Sequence, residues 1–195
     1  MEIVLASSSK QRQDIFKMIG LKYEVMTSDV DEISNKKDPG EYVKELSLNK
    51  AKSVAERLNT KKIIIGADTI IYANGRKYEK PKNKEEALNN LKELSGKKNT
   101  CYTGLAVIDL YQNKIISVYS TLDVYFKDIS DVEMKWYVEN EAKIFKCCGY
   151  VPLGKASIFI DRVDGDYNTI IGISPRVLFD KLGELGYNVT DFDYE

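Results

Sequence analysis

A single carboxylate, that of Asp68, interrupts the run of apolar and β-branched residues IIIGADTII. The run predicts a buried strand, where an unpaired carboxylate is costly. Asp68 therefore requires either a partner or a chemical role. One interpretation is a structural carboxylate that accepts backbone hydrogen bonds or closes the following turn. The other is a general base that takes a proton from water, with a pKa set by its neighbours.

A lysine lies inside an apolar helical stripe further upstream. Lys50 is four residues after Leu46 and four before Val54, so the three side chains share one helix face. Such a lysine points towards the core or a cleft. For Lys50 taken alone, the preferred alternative is a packed stem whose ammonium reaches water. Glu32, in DVDEIS, and Lys80, in YEKPKN, are individually uninformative because most such charges are simply solvated.

Hydroxyl groups and backbone donors meet at the start of a predicted helix in SSSKQR, residues 7–12. The N–H groups of a helix start form a ready phosphate site. Lys10 and Arg12 oppose the helix dipole there, at about 0.3–1 kcal/mol each, and a bound polyphosphate would reverse that penalty. A solvated, well-capped surface helix explains the motif equally well. For Thr103-Gly104 and GDYN, ordinary turn chemistry is preferred over a ligand contact.

The chain contains no histidine. This excludes Ser-His-Asp and Cys-His mechanisms, so proton transfer near neutral pH falls to Asp, Glu, Lys, Tyr or a metal-bound water. The cysteines, Cys101, Cys147 and Cys148, are too few for a disulfide framework and lack the fourth ligand of a usual zinc site. We predict that they pack in the core or in strands, and that Trp136 packs in the core or at an interface.

The composition fits one compact unit. The chain has 195 residues, 43% of them hydrophobic, so we predict a single domain over residues 1–195. Its 29 basic and 30 acidic residues give a net charge of −1, which provides no field to attract nucleic acid or an anionic membrane. No run of about 18 apolar residues and no basic leader occurs, so we expect a cytoplasmic protein.

Caps, turns and apolar spacing predict alternating helices and strands with a β meander in the middle. Predicted helices follow a serine cap at SSSK, Asp38 with Pro39, Asn83, the capping box Ser130–Glu133, and Ser174 with Pro175. Predicted extended segments are residues 2–6, 23–27, 62–72, 100–111, 114–126, 157–163 and 169–173, with turns at Asn74-Gly75 and Gln112-Asn113. The pattern favours an α/β fold with a mixed, partly antiparallel sheet flanked by helices.

Eight segments, taken together, resemble the Maf family, the septum-formation proteins regarded as nucleoside triphosphate pyrophosphatases. They occur in the family's order and cover nearly the whole chain: LASSSKQRQDIF, DVDE, LNKAKSV, IIGADTII, EKPKN, SGKKNTCYTGLAV, YVENEAKIFKCCGY and GDYNTIIGISP. The resemblance implies an elongated, two-lobed architecture like that of the ITPases, with a central cleft. It also implies dependence on Mg²⁺ or Mn²⁺ and frequent homodimers.

The resemblance also implies roles for individual residues. Asp68 matches the family's proton acceptor, and Thr69 matches a position associated with the choice of base. The phosphate-binding and polyphosphate-lining positions correspond to Ser7, Ser9, Arg12, Glu32, Lys50 and Lys80, and the later charged segment to Glu141 and Lys146. Glu32 and Asp68 are the candidate metal ligands.

Three departures from the family pattern affect what the resemblance implies. Gln11 replaces a second arginine, Cys147-Cys148 replaces a small pair, and Leu153 falls near a glutamine linked to pyrimidine nucleotides. We therefore expect hydrolysis of several (d)NTPs to (d)NMP and pyrophosphate, with removal of modified nucleotides as one candidate role. The alternative is a non-catalytic, nucleotide-binding regulator of cell division.

Overall fold

The computed structural model describes residues 1–147 and 149–195, so Cys148, for which packing was predicted, lies outside the described residues. The described part contains seven strands and five α-helices. The strands are β1 (Ile3–Leu5), β2 (Glu24–Val25), β3 (Ile63–Ala73), β4 (Arg76–Tyr78), β5 (Lys98–Asp109), β6 (Lys114–Phe126) and β7 (Ile160–Gly165). The α-helices are α1 (Lys10–Met18), α2 (Pro39–Ala55), α3 (Lys84–Leu94), α4 (Asp131–Asn140) and α5 (Pro175–Glu184).

All seven strands belong to one mixed sheet with the order β2-β1-β3-β5-β6-β7, and β4 pairs with β3. β1 is parallel to both β2 and β3, with Ile3 opposite Ile63 and Leu5 opposite Ile65. The β3–β4 and β6–β7 pairs are antiparallel. The predicted α/β class with a mixed, partly antiparallel sheet is therefore confirmed.

Local capping chemistry fixes several predicted boundaries. The carboxylate of Asp38 accepts a hydrogen bond from the backbone N–H of Glu41 at 2.9 Å, and Pro39 begins α2. Ser130 and Glu133 form the predicted capping box at the start of α4. The β3–β4 turn has φ of +52° at Asn74 and +77° at Gly75, the left-handed pair that a two-residue hairpin requires.

Two predicted extended segments are wrong, wholly or in part. Lys155–Phe159 is a 3-10 helix, so only the second half of residues 157–163 is extended, as β7. The hydroxyl of Ser157 donates to the carbonyl oxygen of Gly154 at 2.7 Å, which favours a turn over a strand there. Residues 169–173 are not a strand either, because Tyr167–Ile171 forms a 3-10 helix.

The predictions for Trp136 and the cysteines had mixed outcomes. Trp136 is 42% exposed on α4, so the prediction of core packing is wrong and a role at an interface stays a prediction. The buried face of α4 is formed by Met134, Tyr137 and Val138 instead. Cys101 is fully buried in β5, as predicted, whereas Cys147 is half-buried.

The first of two compact units comprises Met1–Thr69, Thr103–Ser120 and Ile171–Glu195. Its sheet carries an apolar cluster on each face. One cluster joins alternate strand residues to α1 and α5: Ile3, Leu5, Ile15, Phe16, Leu21, Ile63, Ile65, Ala67, Leu105, Val107, Ile173, Leu178, Leu182, Leu185 and Phe192. The other joins the intervening strand residues to α2: Val4, Ala6, Ala51, Val54, Ile64, Ala106 and Ile108.

The second unit comprises Ile70–Tyr102 and Thr121–Ile170. Buried phenols organise its interior, since the Tyr150 hydroxyl donates to Asn99 Oδ1 at 2.9 Å and the Tyr137 hydroxyl accepts from the N–H of Val151 at 2.9 Å. Burial raises the pKa of Tyr137 above its ordinary range, so this phenol stays neutral. The single domain, the elongated outline and the central cleft stay predictions.

None of the described helices combines the length and the apolar character that crossing a bilayer requires.

Candidate active site

Side chains alternate along β3, so the adjacent polar residues Asp68 and Thr69 lie on opposite faces of the sheet. Ile64 packs in the cluster under α2, and Ile65 and Ala67 pack in the cluster under α1 and α5. Because side chains alternate along a strand, Asp68 shares the face of Ile64, whereas Thr69 shares the face of Ala67. Asp68 is thereby directed to α2 and Thr69 to α1.

Two glycines let the backbone of α2 approach the sheet closely. A Cβ atom on Gly66 would lie 2.2 Å from the carbonyl oxygen of Ser47, and one on Gly104 would lie 2.1 Å from that of Val43. Hydrogen is therefore the one side chain that fits at either strand position without displacing the helix. The contact fixes the height of α2 above the sheet, and Lys50 lies on the buried face of that helix.

A buried ion pair forms where α2 meets β3. Lys50 Nζ lies 2.6 Å from Asp68 Oδ1 and 2.7 Å from Glu32 Oε1. The side chains of Lys50 and Asp68 are 9% and 10% exposed, whereas that of Glu32 is 57% exposed. The predicted burial of Asp68 is confirmed and its partner is Lys50. The snorkelling alternative for Lys50 is wrong, because its ammonium contacts two carboxylates.

Glu32 reaches Lys50 from the acidic loop, residues 26–38, which joins β2 to α2 without regular secondary structure. Polar contacts along α2 and just beyond it hold this loop. Ser34 donates to the carboxylate of Glu45, and Arg57 donates to the carbonyl oxygen of Thr27. Arg57 Nη1 also lies 3.2 Å from Asp29 Oδ2. The loop that carries Glu32 is therefore held by polar contacts, of which those of Arg57 are exposed.

On the opposite face of the sheet, Arg12 enters a network of neutral oxygens. Its Nη1 donates to Ser7 Oγ at 3.1 Å, its Nη2 to Thr69 Oγ1 at 3.2 Å and its Nε to the carbonyl oxygen of Gly172 at 3.3 Å. Thr69 Oγ1 in turn lies 2.9 Å from Thr103 Oγ1. These contacts hold the guanidinium between the start of α1, β3 and the backbone at Gly172.

The start of α1 differs in one detail from the serine cap predicted. Ser9 occupies the N-cap position but makes no side-chain capping bond. Ser7 Oγ accepts the N–H of Ser9 at 3.2 Å instead, and it also accepts from Arg12. Lys10 is exposed in the first turn of the helix. Ser7 therefore links the helix start to the guanidinium.

The remaining predicted site residues belong to the second unit. Lys80 and Lys146 are exposed, and Glu141 is buried. Glu141 Oε1 accepts from the N–H of Lys143 at 3.2 Å, and its Oε2 lies 4.0 Å from Lys155 Nζ. The structure thus brings together Glu32, Lys50 and Asp68 as one cluster and Ser7, Arg12 and Thr69 as another. The roles predicted for Lys80, Glu141 and Lys146 stay predictions.

The sequence of the chain matches the family described as Maf-like protein over residues 2–185. The chain belongs to the Maf family. The match spans nearly the whole Maf chain, and it confirms the resemblance indicated by the eight ordered segments.

Two relatives at moderate identity, both named dTTP/UTP pyrophosphatase, are similar to this Maf chain over most of its length. The protein of Thermoanaerobacter sp. (strain X514) is 37% identical over 182 residues, which cover 93% of this chain and 95% of the relative. That of Pelotomaculum thermopropionicum is 39% identical over 189 residues, covering 96% and 98%. Among solved structures, the Staphylococcus aureus Ham1 protein is similar with a TM-score of 0.46 and 20% identity, over 66% of this chain and 73% of that one.

Several residues that organise the site in this Maf chain were missed from the sequence. Thr103 and Gly104 lie inside β5, so their interpretation as turn residues is wrong. A glycine within a strand pattern is a signal for close backbone approach, and that signal was available at both Gly66 and Gly104. Gly172 contributes its carbonyl oxygen to Arg12, which no side-chain pattern could indicate.

The carboxylates of the site suit a hard divalent cation that shares its coordination with a substrate. Within the described residues, no group of three or more His, Cys, Asp or Glu side chains is placed to hold a metal ion. Mg²⁺ commonly binds through one or two carboxylates together with substrate phosphates, so such a cage is not required. Glu32 and Asp68 converge on one ammonium and provide two such carboxylates.

Proposed function

We propose that this Maf chain is a nucleoside triphosphate pyrophosphatase that hydrolyses (d)NTPs to (d)NMPs and pyrophosphate, with Asp68 as the general base. The buried contact of 2.6 Å between Lys50 Nζ and Asp68 Oδ1 carries the proposal. A carboxylate that can accept a proton and an ammonium that can meet a phosphate are adjacent in this contact. The name shared by the two relatives, dTTP/UTP pyrophosphatase, supports the same reaction class.

Asp68 takes the proton of the attacking water in this reaction. The water oxygen forms a bond to the α-phosphorus, the bond from that phosphorus to the bridging oxygen breaks, and pyrophosphate leaves with the bond's electron pair. A positioned general base typically contributes about 10²–10⁴-fold to the rate. Electrostatic stabilisation of the developing charge is commonly the larger contribution. Lys50 supplies that stabilisation within the first unit, and Arg12 neutralises the charge of the bound triphosphate.

The charge balance of the carboxylate cluster explains the need for a divalent cation. Glu32, Lys50 and Asp68 carry two negative charges and one positive charge, a formal sum of −1, whereas the substrate is a polyanion. Mg²⁺ or Mn²⁺ would be held by Glu32 or Asp68, which are the candidate ligands. When bound, the ion neutralises phosphate charge as a Lewis acid. A chelator should therefore abolish turnover, and either ion should restore it.

Phosphate binding is proposed for the second cluster of the first unit. Ser7, Ser9 and Arg12 lie at the start of α1, where backbone N–H groups and the helix dipole favour an anion. In the second unit, Lys80 is proposed to act on phosphate, and Glu141 and Lys146 are proposed to contact the substrate. Removal of charge at Arg12 or Lys80 should weaken the binding of every nucleoside triphosphate to a similar extent, whatever its base.

A product analysis tests the reaction itself. The purified chain is incubated with a panel of nucleoside triphosphates and Mg²⁺ or Mn²⁺, and the phosphorus-containing products are identified by ³¹P NMR. Equimolar nucleoside monophosphate and pyrophosphate are expected, with Asp68→Asn as the inactive control. Release of inorganic phosphate, or binding without turnover, would overturn the proposal, and the second outcome would favour the non-catalytic regulator.

The same panel tests the choice of base. Leu153 offers neither a hydrogen-bond donor nor an acceptor, and apolar contact alone discriminates by about 1–3 kcal/mol. We therefore propose activity on several nucleoside triphosphates, including pyrimidine and modified ones, although the relatives are named for dTTP and UTP. A preference for dTTP and UTP above about a hundredfold over all other bases would contradict this proposal.

The homodimer is also a proposal, and light scattering of the purified chain tests it. The cytoplasmic location stays a prediction.

A further inference from the structure

Thr103 is a buried residue that contacts the Arg12 network through Thr69. It is 1% exposed, and its hydroxyl oxygen lies 2.9 Å from that of Thr69. Thr69 Oγ1 accepts a hydrogen bond from Arg12 Nη2 at 3.2 Å. A hydroxyl–hydroxyl–guanidinium line therefore runs from the interior of β5 through β3 to α1.

Strand alternation explains why Thr103 occupies this position. Leu105 and Val107 belong to the apolar cluster under α1 and α5, and Thr103 has the same parity on β5. It is a polar residue at a position that the strand pattern otherwise gives to an apolar one. A buried hydroxyl is tolerated at such a position when it makes a hydrogen bond, and Thr103 makes one with Thr69.

The guanidinium of Arg12 is also confined by contacts other than the one with Thr69. A Cβ atom on Gly172 would lie 3.0 Å from Arg12 Nε, so the arginine fills the space that a side chain would need. The carbonyl oxygen of Gly172 and the hydroxyl of Ser7 accept from two other nitrogens of the group. Thr69 provides the third support, and its hydroxyl is hydrogen-bonded to that of Thr103.

We propose that Thr103 is a positioning residue that holds Arg12, through Thr69, in the orientation that binds phosphate. The proposal rests on the phosphate role given to Arg12 in the proposed function. Arg12 contacts phosphate before and during the reaction, so loss of the Thr103 hydroxyl should weaken substrate binding more than it slows turnover.

Three matched variants test the hydroxyl of Thr103. Thr103→Val keeps the shape and removes the hydroxyl, Thr103→Ser keeps the hydroxyl, and Thr100→Val removes another hydroxyl of the same strand, which donates to Asp123 at 2.6 Å. We expect Thr103→Val to raise KM about 5- to 20-fold and to change kcat by less than about threefold. Thr103→Ser and Thr100→Val should keep KM within about threefold of the wild-type value.

Calorimetric binding of an α,β-methylene nucleoside triphosphate gives a readout that needs no turnover. Thr103→Val should weaken this binding about 5- to 20-fold in the wild-type background and should have no further effect in an Arg12→Ala background. Thr69→Val should behave like Thr103→Val, and the double variant should be no worse than either, which keeps the test valid even if one variant folds poorly.

The outcomes separate the two proposals. If the wild-type chain does not bind the analogue, the proposed function fails. If the chain binds but Thr103→Val matches Thr100→Val, or if its effect persists undiminished without Arg12, then Thr103 is only structural and the positioning role is overturned.

Discussion

Two carboxylates reach Lys50 from unlike regions of the first unit. Asp68 projects from β3, a strand buried on both faces, and its side chain is 10% exposed. Glu32 projects from the acidic loop, and its side chain is 57% exposed. The two N–O distances are nearly equal, 2.6 and 2.7 Å, so distance alone does not separate their roles.

The difference in burial implies a difference in energy. Breaking a buried ion pair by removing one partner commonly costs about 3–5 kcal/mol, because an uncompensated charge remains. An exposed pair contributes about 0–1 kcal/mol. The Asp68 contact therefore fixes Lys50, whereas the Glu32 contact can be exchanged at little cost when a cation or a phosphate arrives. A group that moves a proton benefits from the first arrangement, and a metal ligand tolerates the second.

The largest effect is expected from replacing Gly66, the residue of β3 that lets α2 approach the strand closely. Gly66→Ala places a methyl group against the backbone of α2, which must move away from the strand and carry Lys50 with it. We expect a loss of unfolding free energy of more than about 4 kcal/mol or failure to fold, measured by chemical denaturation. Gly183→Ala is the control, since nothing lies within 4 Å of its added Cβ. That helix substitution should stabilise the chain by up to about 1 kcal/mol, and a stable, active Gly66→Ala variant would refute the close-packing argument.

The next effect concerns Asp68 itself. Asp68→Asn keeps the shape and an acceptor oxygen for Lys50 but removes the base, so turnover should fall by at least about 10²-fold while nucleotide binding survives. The unfolding free energy should fall by about 1–3 kcal/mol, less than for an unpaired buried charge, because Glu32 still neutralises Lys50. Quenched-flow turnover and analogue binding measure the two parts. A folded variant with near wild-type turnover would remove Asp68 from the role of general base.

A smaller effect on stability and turnover is expected from replacing Glu32, the carboxylate of the acidic loop. Glu32→Gln should change the unfolding free energy by less than about 1 kcal/mol, because an exposed ion pair contributes little. Turnover should fall roughly tenfold, with a higher Mn²⁺ concentration needed for half-maximal activity, if Glu32 is a metal ligand. Titration of Mn²⁺ by EPR measures the binding directly. If Glu32→Gln slowed turnover more than Asp68→Asn, the assignment of the two roles would have to be exchanged.

The strand side of this comparison could be predicted from the sequence more readily than the loop side. The isolated carboxylate in IIIGADTII and the lysine in an apolar helical stripe are both violations of a local pattern, and both residues meet in the fold. Strand and helix periodicity fix the direction of a side chain, so such violations predict where a site lies. Glu32 lies in a segment without period, so its place in the site rested on the resemblance alone, and its contact with Lys50 was not predicted.

The Arg12 network shows a second limit of sequence reasoning. The helix start SSSKQR indicated an anion site, but the contacts of Arg12 with Thr69 and Gly172 join residues 57 and 160 positions apart. Such contacts depend on strand order and on close backbone approach, which one chain's periodicity does not determine. The two misassigned segments near Ser157 and Tyr167 arose differently, because short 3-10 turns and strands share an apolar composition.

The smallest effect is expected at the anchor of the acidic loop, and it tests whether the position of Glu32 is set from a distance. Arg57 lies just after α2, where it donates to the carbonyl oxygen of Thr27 and to that of Ser53 and pairs with Asp29 at 3.2 Å. These contacts are exposed, so Arg57→Ala should lower the unfolding free energy by less than about 1 kcal/mol. The loop would then sample more conformations, and KM should rise about two- to fivefold while kcat stays constant, because Asp68 is unaffected. Raised salt should weaken the same anchor in the wild-type chain and reduce the difference in KM between the two proteins.

A double-mutant cycle gives the decisive measurement for Arg57. If Arg57 acts by holding Glu32 at Lys50, Arg57→Ala will have no further effect in a Glu32→Gln background. Equal effects in both backgrounds would show that the loop is positioned independently of Glu32, and the proposed exchange of Glu32 between Lys50 and a bound cation would lose its structural basis.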